Sequence, residues 1–306
     1  MPKISIIINC HNGEEFLKET LNALEEQTYS DFEIIFYDNF STDSSAKIAN
    51  TFDSRLKYYK SNDFISLGAA RNKALDFTTG DYIAFCDCDD IWDSEKLAKQ
   101  VDELDNDETV GMVFTNFKRL NMINGLIDIF DKKAEYKKLD FAELVCNYSF
   151  CLSSFLIRRS ALSELDHCFN EAFQYAEEFE LFSRIAYHWK TVYLPEPFVV
   201  YRIHKNMTTL KVEERIGIEY GLALDNLRKM SPDIDSLYPD VIKEISFRRD
   251  FTKAKYLIKF GNNKMVRVLT RPYMFYNIRA FLFFIIALGP KSFSTKIVSL
   301  FYKQRI

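Results

Sequence analysis

The residues best suited to chemistry are three carboxylates in four positions, Asp87-Cys88-Asp89-Asp90, set directly behind the apolar run Tyr82-Ile83-Ala84-Phe85. Carboxylates are almost never buried without a partner. A strand that ends in a cluster of them aims them into a cleft where positive charge must sit. Oxygen ligands in an open geometry suit Mg²⁺ or Mn²⁺, and Mg²⁺ draws on only one or two protein carboxylates together with substrate phosphates. The competing reading is a solvated acidic turn that caps the next helix through Asp93 or Ser94.

The elements that must position this cluster follow from hydrophobic patterning. Ser5-Ile6-Ile7-Ile8 is a continuous apolar run, the mark of a buried strand in a parallel sheet, and it ends at Asn9-Cys10-His11-Asn12-Gly13. Leu17, Leu21 and Leu24 space an amphipathic helix over residues 14–27. A second strand, Phe32 to Tyr37, ends at Asp38-Asn39-Phe40-Ser41-Thr42-Asp43. A helix from Ser44, a short strand Leu56–Tyr59 and a helix opened by Leu67-Gly68-Ala69-Ala70-Arg71-Asn72 lead to the strand Tyr82–Phe85. Repeated βα units predict an open α/β sheet, which binds ligands at the carboxyl ends of its strands. Three such ends converge here: His11-Asn12, Asp38-Asn39 and Asp87-Cys88-Asp89. A turn with no role need not coincide with the polar ends of two other buried strands, so the site reading is favoured.

No GxGxxG follows the first strand and no Walker A sequence occurs, which disfavours dinucleotide and P-loop sites. A carboxylate such as Asp38 can accept from a base imide or a ribose hydroxyl. Arg71, near a helix start, can meet a base carbonyl or a phosphate, or can make a plain surface ion pair. With a metal on Asp89, a nucleoside diphosphate is the natural occupant.

These stretches, with Gln27-Thr28-Tyr29, Gly68 to Ala74 and Glu177-Glu178-Phe179-Glu180, resemble as a set the inverting family 2 glycosyltransferases of bacterial surface-polysaccharide type, over roughly residues 3–205. The resemblance implies a GT-A fold, an open and mostly parallel sheet flanked by helices, and a nucleotide-sugar donor, usually a UDP-sugar. It implies that Cys10, His11 and Asn12 with Asp38 and Asn39 hold the base and that Arg71 lies on it. Asp87 lies by the ribose, Cys88 belongs with it among the nucleotide-binding residues, and Asp89 binds Mn²⁺ or Mg²⁺. The second acid of the Glu177-Glu178 pair, Glu178, is implied as the base that deprotonates the acceptor hydroxyl, with Glu177 as a substitute. By themselves those acids would only complement a helix dipole. Tyr201-Arg202-Ile203-His204 resembles the late histidine motif, which makes His204 a metal or diphosphate ligand. Asn39 stands where many relatives carry Asp, and His11 where many carry Tyr. Trp92 and residues 116–151 are expected on the acceptor side, and the acceptor is expected to be a hydroxyl of a glycan or of a lipid-linked molecule.

Other enzyme and non-enzyme readings remain open on the residues alone. Asp87 and Asp89 could be nucleophile and acid of a DxD phosphatase, although the pair follows several βα units rather than the first strand. A nucleotide-sugar-binding scaffold, inactive through Glu178, would bind UDP without turnover.

The composition fits one large α/β domain with an appendage: 306 residues, 47% hydrophobic, with 28 Phe and 17 Tyr. The six Cys include no CxxC pair, so Cys86 and Cys88, on one face of a strand, are expected as small core hydrophobes in a reducing cytosol. Met1-Pro2-Lys3 followed at once by a strand does not read as a signal peptide. The net charge of −4 conceals an asymmetry: residues 251–306 hold eleven Lys and Arg and no acid, leaving −15 on the first 250. Residues 1–208 are expected to form the catalytic domain, its donor half about 1–115 and its acceptor half about 116–208. Residues 209–306 are expected to form a helical extension, with Ile216, Tyr220, Leu224 and Leu227 on one helix face. The apolar stretch Ala280–Leu288 falls well short of the ~20 residues that span a bilayer. Flanked by Arg271, Arg279, Lys291, Lys296, Lys303 and Arg305, it reads as an in-plane anchor on an anionic membrane, over about 270–306. The competing reading is a core helix beside a basic face. The expectation is a peripheral enzyme at the cytoplasmic face of the inner membrane. Nucleic acid is not an expected partner, because the tail aromatics come in apolar runs rather than between the charges.

Overall fold

The structure, a computed structural model, describes residues 2–207 and 213–303. It divides into two compact units, Met1–Lys205 and Asn206–Ile306.

In the first unit, β1 (Ile4–Cys10), α1 (Leu17–Glu25), β2 (Phe32–Asp38), α2 (Ser45–Ala49), β3 (Leu56–Lys60), α3 (Leu67–Leu75) and β4 (Tyr82–Phe85) build the first half of the sheet. Then come β5 (Ile91–Trp92), α4 (Lys96–Asn106), β6 (Val110–Asn121), β7 (Ile127–Ile129), β8 (Lys137–Leu139), α5 (Phe141–Cys146), β9 (Phe155–Arg158), α6 (Arg159–Ser163), α7 (Glu177–His188) and β10 (Lys190–Ile203). The strand order is β3-β2-β1-β4-β9-β6-β10-β5, with β7 on β6 and β8 on β10. Strands β3, β2, β1 and β4 are parallel, β9 runs antiparallel to β4 and β6, and β10 is parallel to β6.

The continuous apolar run of β1 makes sense in this setting. Ile4, Ile6 and Ile8 enter one large core with Leu17, Leu21 and Leu24 of α1, while Ile7 is equally buried on the other face. A strand covered on both sides cannot alternate apolar with polar residues. Strand β4 stops at Phe85, so Cys86 and Cys88 lie beyond it rather than on one strand face; Cys86 is buried and Cys88 is partly exposed. The acids that follow prevent the strand from continuing into the core. Strand β10 carries register shifts at Leu194/Pro197 and Pro197/Val199 against β6, and its second half pairs with β5 through Val199–Trp92 and Val200–Ile91. Bulges bend a strand and re-aim its side chains, and here they bring Arg202 and His204 to the acidic loop.

The second unit is helical: α8 (Glu213–Met230), α9 (Ile234–Leu237), α10 (Pro239–Lys259), α11 (Asn263–Thr270), α12 (Ile278–Ile286) and α13 (Lys291–Lys303). Ala223, Leu224 and Leu227 form the buried face of α8. A Cβ at Gly217 would lie 2.9 Å from the Arg249 carbonyl of α10, so these two helices approach at a position that only glycine permits. The inner side of α12 packs Ala280 beside Phe247 and Tyr273, and Phe283 against Phe251. Among the described residues no helix is long and apolar enough to cross a membrane. Arg305 lies outside the described residues.

Candidate active site

Parallel pairing fixes which loops meet. Cys10 stands opposite Asp38 and Ile7 opposite Phe85, so the loops after β1, β2 and β4 leave the same edge of the sheet. Their backbones are tied together. Asn12, in the left-handed region at φ 55°, takes the Thr42 N–H on its Oδ1 at 2.8 Å and gives its own N–H to Ser41 Oγ at 3.0 Å. Gly13 donates to Ser45 Oγ at 2.9 Å. A Cβ on Gly13 would sit 2.8 Å from Cys10 Sγ and 3.0 Å from Cys88 Sγ, so the motifs that follow β1 and β4 can close on each other only around a glycine.

Asp38 is fully buried and accepts from the Ser41 N–H at 2.7 Å and the Tyr58 hydroxyl at 2.6 Å, one donor on each oxygen. Burial and that carboxylate both push the Tyr58 phenol up. Asn39 clamps Ile65 at two points, accepting its N–H at 3.1 Å and donating to its carbonyl at 2.9 Å. An aspartate could not make the second bond, which gives the Asn at this position a physical reason. His11 has Nδ1 2.9 Å from the Asn39 carbonyl and Nε2 3.4 Å from the Asn12 amide. The carbonyl can only accept, so Nδ1 carries the proton. The His11 ring tilts against Phe64 at 4.6 Å, and Phe64 is 60% exposed. Phe64 escapes sequence reasoning: an aromatic in a polar loop, brought to the crevice only by the Asn39 clamp on its neighbour.

On the next loop, Asp89 Oδ2 lies 2.9 Å from His204 Nε2. His204 packs its ring on Phe16 at 4.8 Å, and its Nδ1 is buried with no protein partner. Arg202 holds this loop in place. Its buried guanidinium donates to the Asp89 carbonyl at 3.0 Å, pairs with Glu19 and lies over the Phe16 ring, while its backbone N–H reaches Asp90 Oδ1 at 3.3 Å. Thr20 of α1 adds a bond to the Cys88 carbonyl at 3.0 Å, and Ser153 Oγ accepts the Asp87 N–H at 3.0 Å. Adjacent ligands of an octahedral ion bound at 2.0–2.1 Å lie about 3 Å apart. The Asp89–His204 pair therefore fits two positions on one divalent cation. Among the described residues no third His, Cys, Asp or Glu joins them.

The third group of acids surrounds Arg71. Ser66 caps α3 by accepting the Ala69 N–H at 3.3 Å, and from this helix the buried Arg71 reaches Glu177 Oε1 at 2.6 Å and Asp87 Oδ1 at 3.4 Å. Its guanidinium rests over the Phe169 ring at 5.4 Å. Glu177 Oε2 is buried without a partner. One cation thus serves two carboxylates. Burial pushes Asp87 up to about 6, with Asp89 and Glu177 adding to the rise and Arg71 opposing it. Burial likewise pushes Glu178, in the first turn of α7, up to about 8; Glu177 and Asp87 add to this, and Arg71 and the Tyr148 hydroxyl oppose it. A carboxyl whose proton leaves near neutrality can serve as a general base.

Trp92 is buried, with Lys96 Nζ 3.7 Å from its ring centroid. Burial pushes the Lys96 amine down to about 7, and it donates to Gln100 Oε1 at 2.8 Å. Lys96 does not stand out in the sequence and Arg202 does so only as a neighbour of His204, because a basic residue beside a strand or helix start gives no sign of being enclosed.

The family model for glycosyl transferase family 2 matches residues 5–166. The chain is 30% identical over 139 residues to the UDP-Glc:alpha-D-GlcNAc-diphosphoundecaprenol beta-1,3-glucosyltransferase WfgD of Escherichia coli, across 44% of this chain and 54% of that protein. In general it spans about half to two thirds of the length of the curated relatives it matches first. Its structure is similar to that of S. aureus TarS 1-349 in complex with UDP-GlcNAc, with TM-score 0.61 and 18% identity over 99% of this chain and 92% of that one. It is also similar to the mannosyltransferase PcManGT from Pyrobaculum calidifontis in complex with GDP-Man and Mn²⁺, with TM-score 0.64 and 18% identity over 97% and 84%. The chain belongs to glycosyl transferase family 2, and its fold is GT-A.

Proposed function

We propose that this family 2 glycosyltransferase moves a sugar from a UDP-sugar to a hydroxyl of a glycan or lipid-linked acceptor, with inversion, in the assembly of a cell-surface polysaccharide. The observation that carries this reading is that one buried guanidinium, Arg71, ties Glu177, the chain neighbour of Glu178, to Asp87, two residues before the Asp89 that meets His204. The niche of His11, Asn12 and Phe64, backed by the buried Asp38 that holds the Ser41 turn, takes the nucleoside, and the two rings offer it a flat edge. Asp87 and Cys88 border the ribose. Asp89 and His204 would hold a divalent cation, Mn²⁺ or Mg²⁺, which when bound offsets the charge of the departing diphosphate.

The remaining chemistry belongs to the chain. Glu178 takes the proton of the acceptor hydroxyl as its oxygen bonds to the anomeric carbon; the bond to the diphosphate breaks on the opposite face, and UDP leaves. Arg71 engages Glu177 in an ion pair at 2.6 Å, which leaves Glu178 as the acid that takes the proton. The relative that uses a diphosphoundecaprenol-linked acceptor supports the acceptor class. The basic helical extension, residues 209–306, supports a site of action at the cytoplasmic membrane face.

The test is UDP release from a panel of UDP-sugars with a polyprenyl-diphosphate-linked sugar as acceptor and Mn²⁺ present, followed by NMR of the product. Acceptor-dependent release with an inverted anomeric centre is expected. A retained configuration would remove Glu178 as base, and no release from any donor would remove the transferase reading.

A further inference from the structure

The outer side of α12 is a ridge of apolar side chains with no protein cover. Ile278 is 68% exposed and Leu282 51%, Phe281 and Ile285 are exposed beside them, and Phe275 ahead of the helix and Leu288 behind it are exposed as well. From Ile278 the spacing is i, i+3, i+4 and i+7, which is one face of a helix. The opposite face already packs inward through Ala280, Phe283 and Ala287. A helix that is apolar all round belongs in a core or in lipid, and the bundle covers only half of this one. Contiguous exposed apolar surface on this scale marks an interaction site.

Charge identifies the occupant. Lys264, Arg271, Arg279 and Lys291 are all exposed on the elements that carry or border the ridge, and no acid occurs anywhere after Asp250. A protein partner with an apolar groove would need no such one-signed rim, whereas an anionic bilayer presents hydrocarbon beneath a layer of negative headgroups. We infer that α12 is a preformed membrane-insertion ridge that seats in an anionic lipid surface, its apolar face in the acyl boundary and Arg271 and Arg279 among the headgroups. Because its inner face is already packed, α12 enters the interface as a folded helix and carries its bundle with it, to the depth of about 5–10 Å typical of in-plane helices. This inference deepens the proposed lipid-linked acceptor and rests on that reading for its biological use.

The test uses the full chain and vesicles of phosphatidylglycerol and phosphatidylcholine. The variant Leu282→Glu/Ile285→Glu, altered only at exposed positions, is expected to keep the thermal unfolding of the wild type while losing at least tenfold in sedimentation with anionic vesicles. Leu282→Trp is expected to shift its emission to the blue on adding those vesicles, and Leu237→Trp, exposed on α9, is not. Wild-type binding no stronger to anionic than to neutral vesicles overturns the inference, as does a variant that binds equally well. A dimer seen by light scattering, broken by Leu282→Glu/Ile285→Glu and unaffected by vesicles, would reassign the ridge to self-association. UDP binding measured on the same samples separates the two readings, because its loss with intact sedimentation strikes the proposed function and not the ridge.

Discussion

Glu33 and Glu178 are both acids withdrawn from water in the same unit, and their surroundings treat them in opposite ways. Glu33, near the start of β2, accepts from Ser5 Oγ at 2.7 Å, from the Thr79 N–H and hydroxyl at 2.8 and 2.7 Å, and from Lys57 Nζ at 2.6 Å. Burial alone would raise its carboxyl, but these donors outweigh it and hold it at about 2. A Cβ on Gly80 would come within 2.6 Å of the Ser5 nitrogen, so the chain is pressed close around this acid. Glu178, at the other end of the sheet's strands, has beside it an Arg71 guanidinium already paired with Glu177 and Asp87, and burial raises it to about 8. The first acid takes four donors, three on Oε1 and one on Oε2, and serves the fold. The second is short of donors, a state that costs stability and makes sense where a ligand completes the site.

The largest expected effect comes from removing the reactive member of the contrast. Glu178→Gln should lower kcat by about 10²–10⁴, the usual contribution of a positioned base. It should also stabilise the protein at high pH. The folded carboxyl of Glu178 titrates above its ordinary value of 4.5, so its ionisation works against folding increasingly as pH rises from 4.5 through 8. Urea unfolding at pH 8.5 should show Glu178→Gln more stable than wild type by about 1–3 kcal/mol, with no difference at pH 4. A variant that is equally active, or less stable at pH 8.5, breaks the contrast.

Glu33→Gln should do the reverse. The folded Glu33 carboxyl is depressed, so its stabilisation is full above 4.5 and is lost as pH falls through about 2. The variant should lose about 2–3 kcal/mol at pH 7 by urea unfolding, with the difference shrinking below pH 4.5. Its affinity for UDP should be unchanged, and a loss of UDP affinity without a loss of stability would contradict the division of roles.

What could be read from the chain divides along sequence distance. Asp38, Asp87 and Asp89 announce themselves because each ends an apolar run, and runs buried on both sides are a local signal. The βα repetition then places their ends on one edge, as the parallel registers of Cys10 with Asp38 and Ile7 with Phe85 bear out. The antiparallel insertion of β9 between β4 and β6 was not readable, since Phe155-Leu156-Ile157 is as apolar a run as the strands of the parallel half. Partners far apart in sequence were equally hidden. Arg71 meets Glu177 across 106 residues, and Arg202 meets the Asp89 carbonyl across 113. An arginine's sequence neighbours do not reveal whether it faces a ligand or an acid on a distant helix. The apolar stretch at Ala280–Leu288 was plain in the sequence, but which of its sides is packed depends on Phe247 and Phe251 of α10.

The most direct measurement is a calorimetric titration of the full chain with UDP, with and without Mn²⁺, beside GDP, CDP and Asp89→Asn. UDP is expected to bind, more tightly with Mn²⁺ and at least tenfold more weakly in Asp89→Asn, with GDP and CDP weaker. Failure of every nucleoside diphosphate to bind, or UDP binding indifferent to both the metal and Asp89, would contradict that expectation.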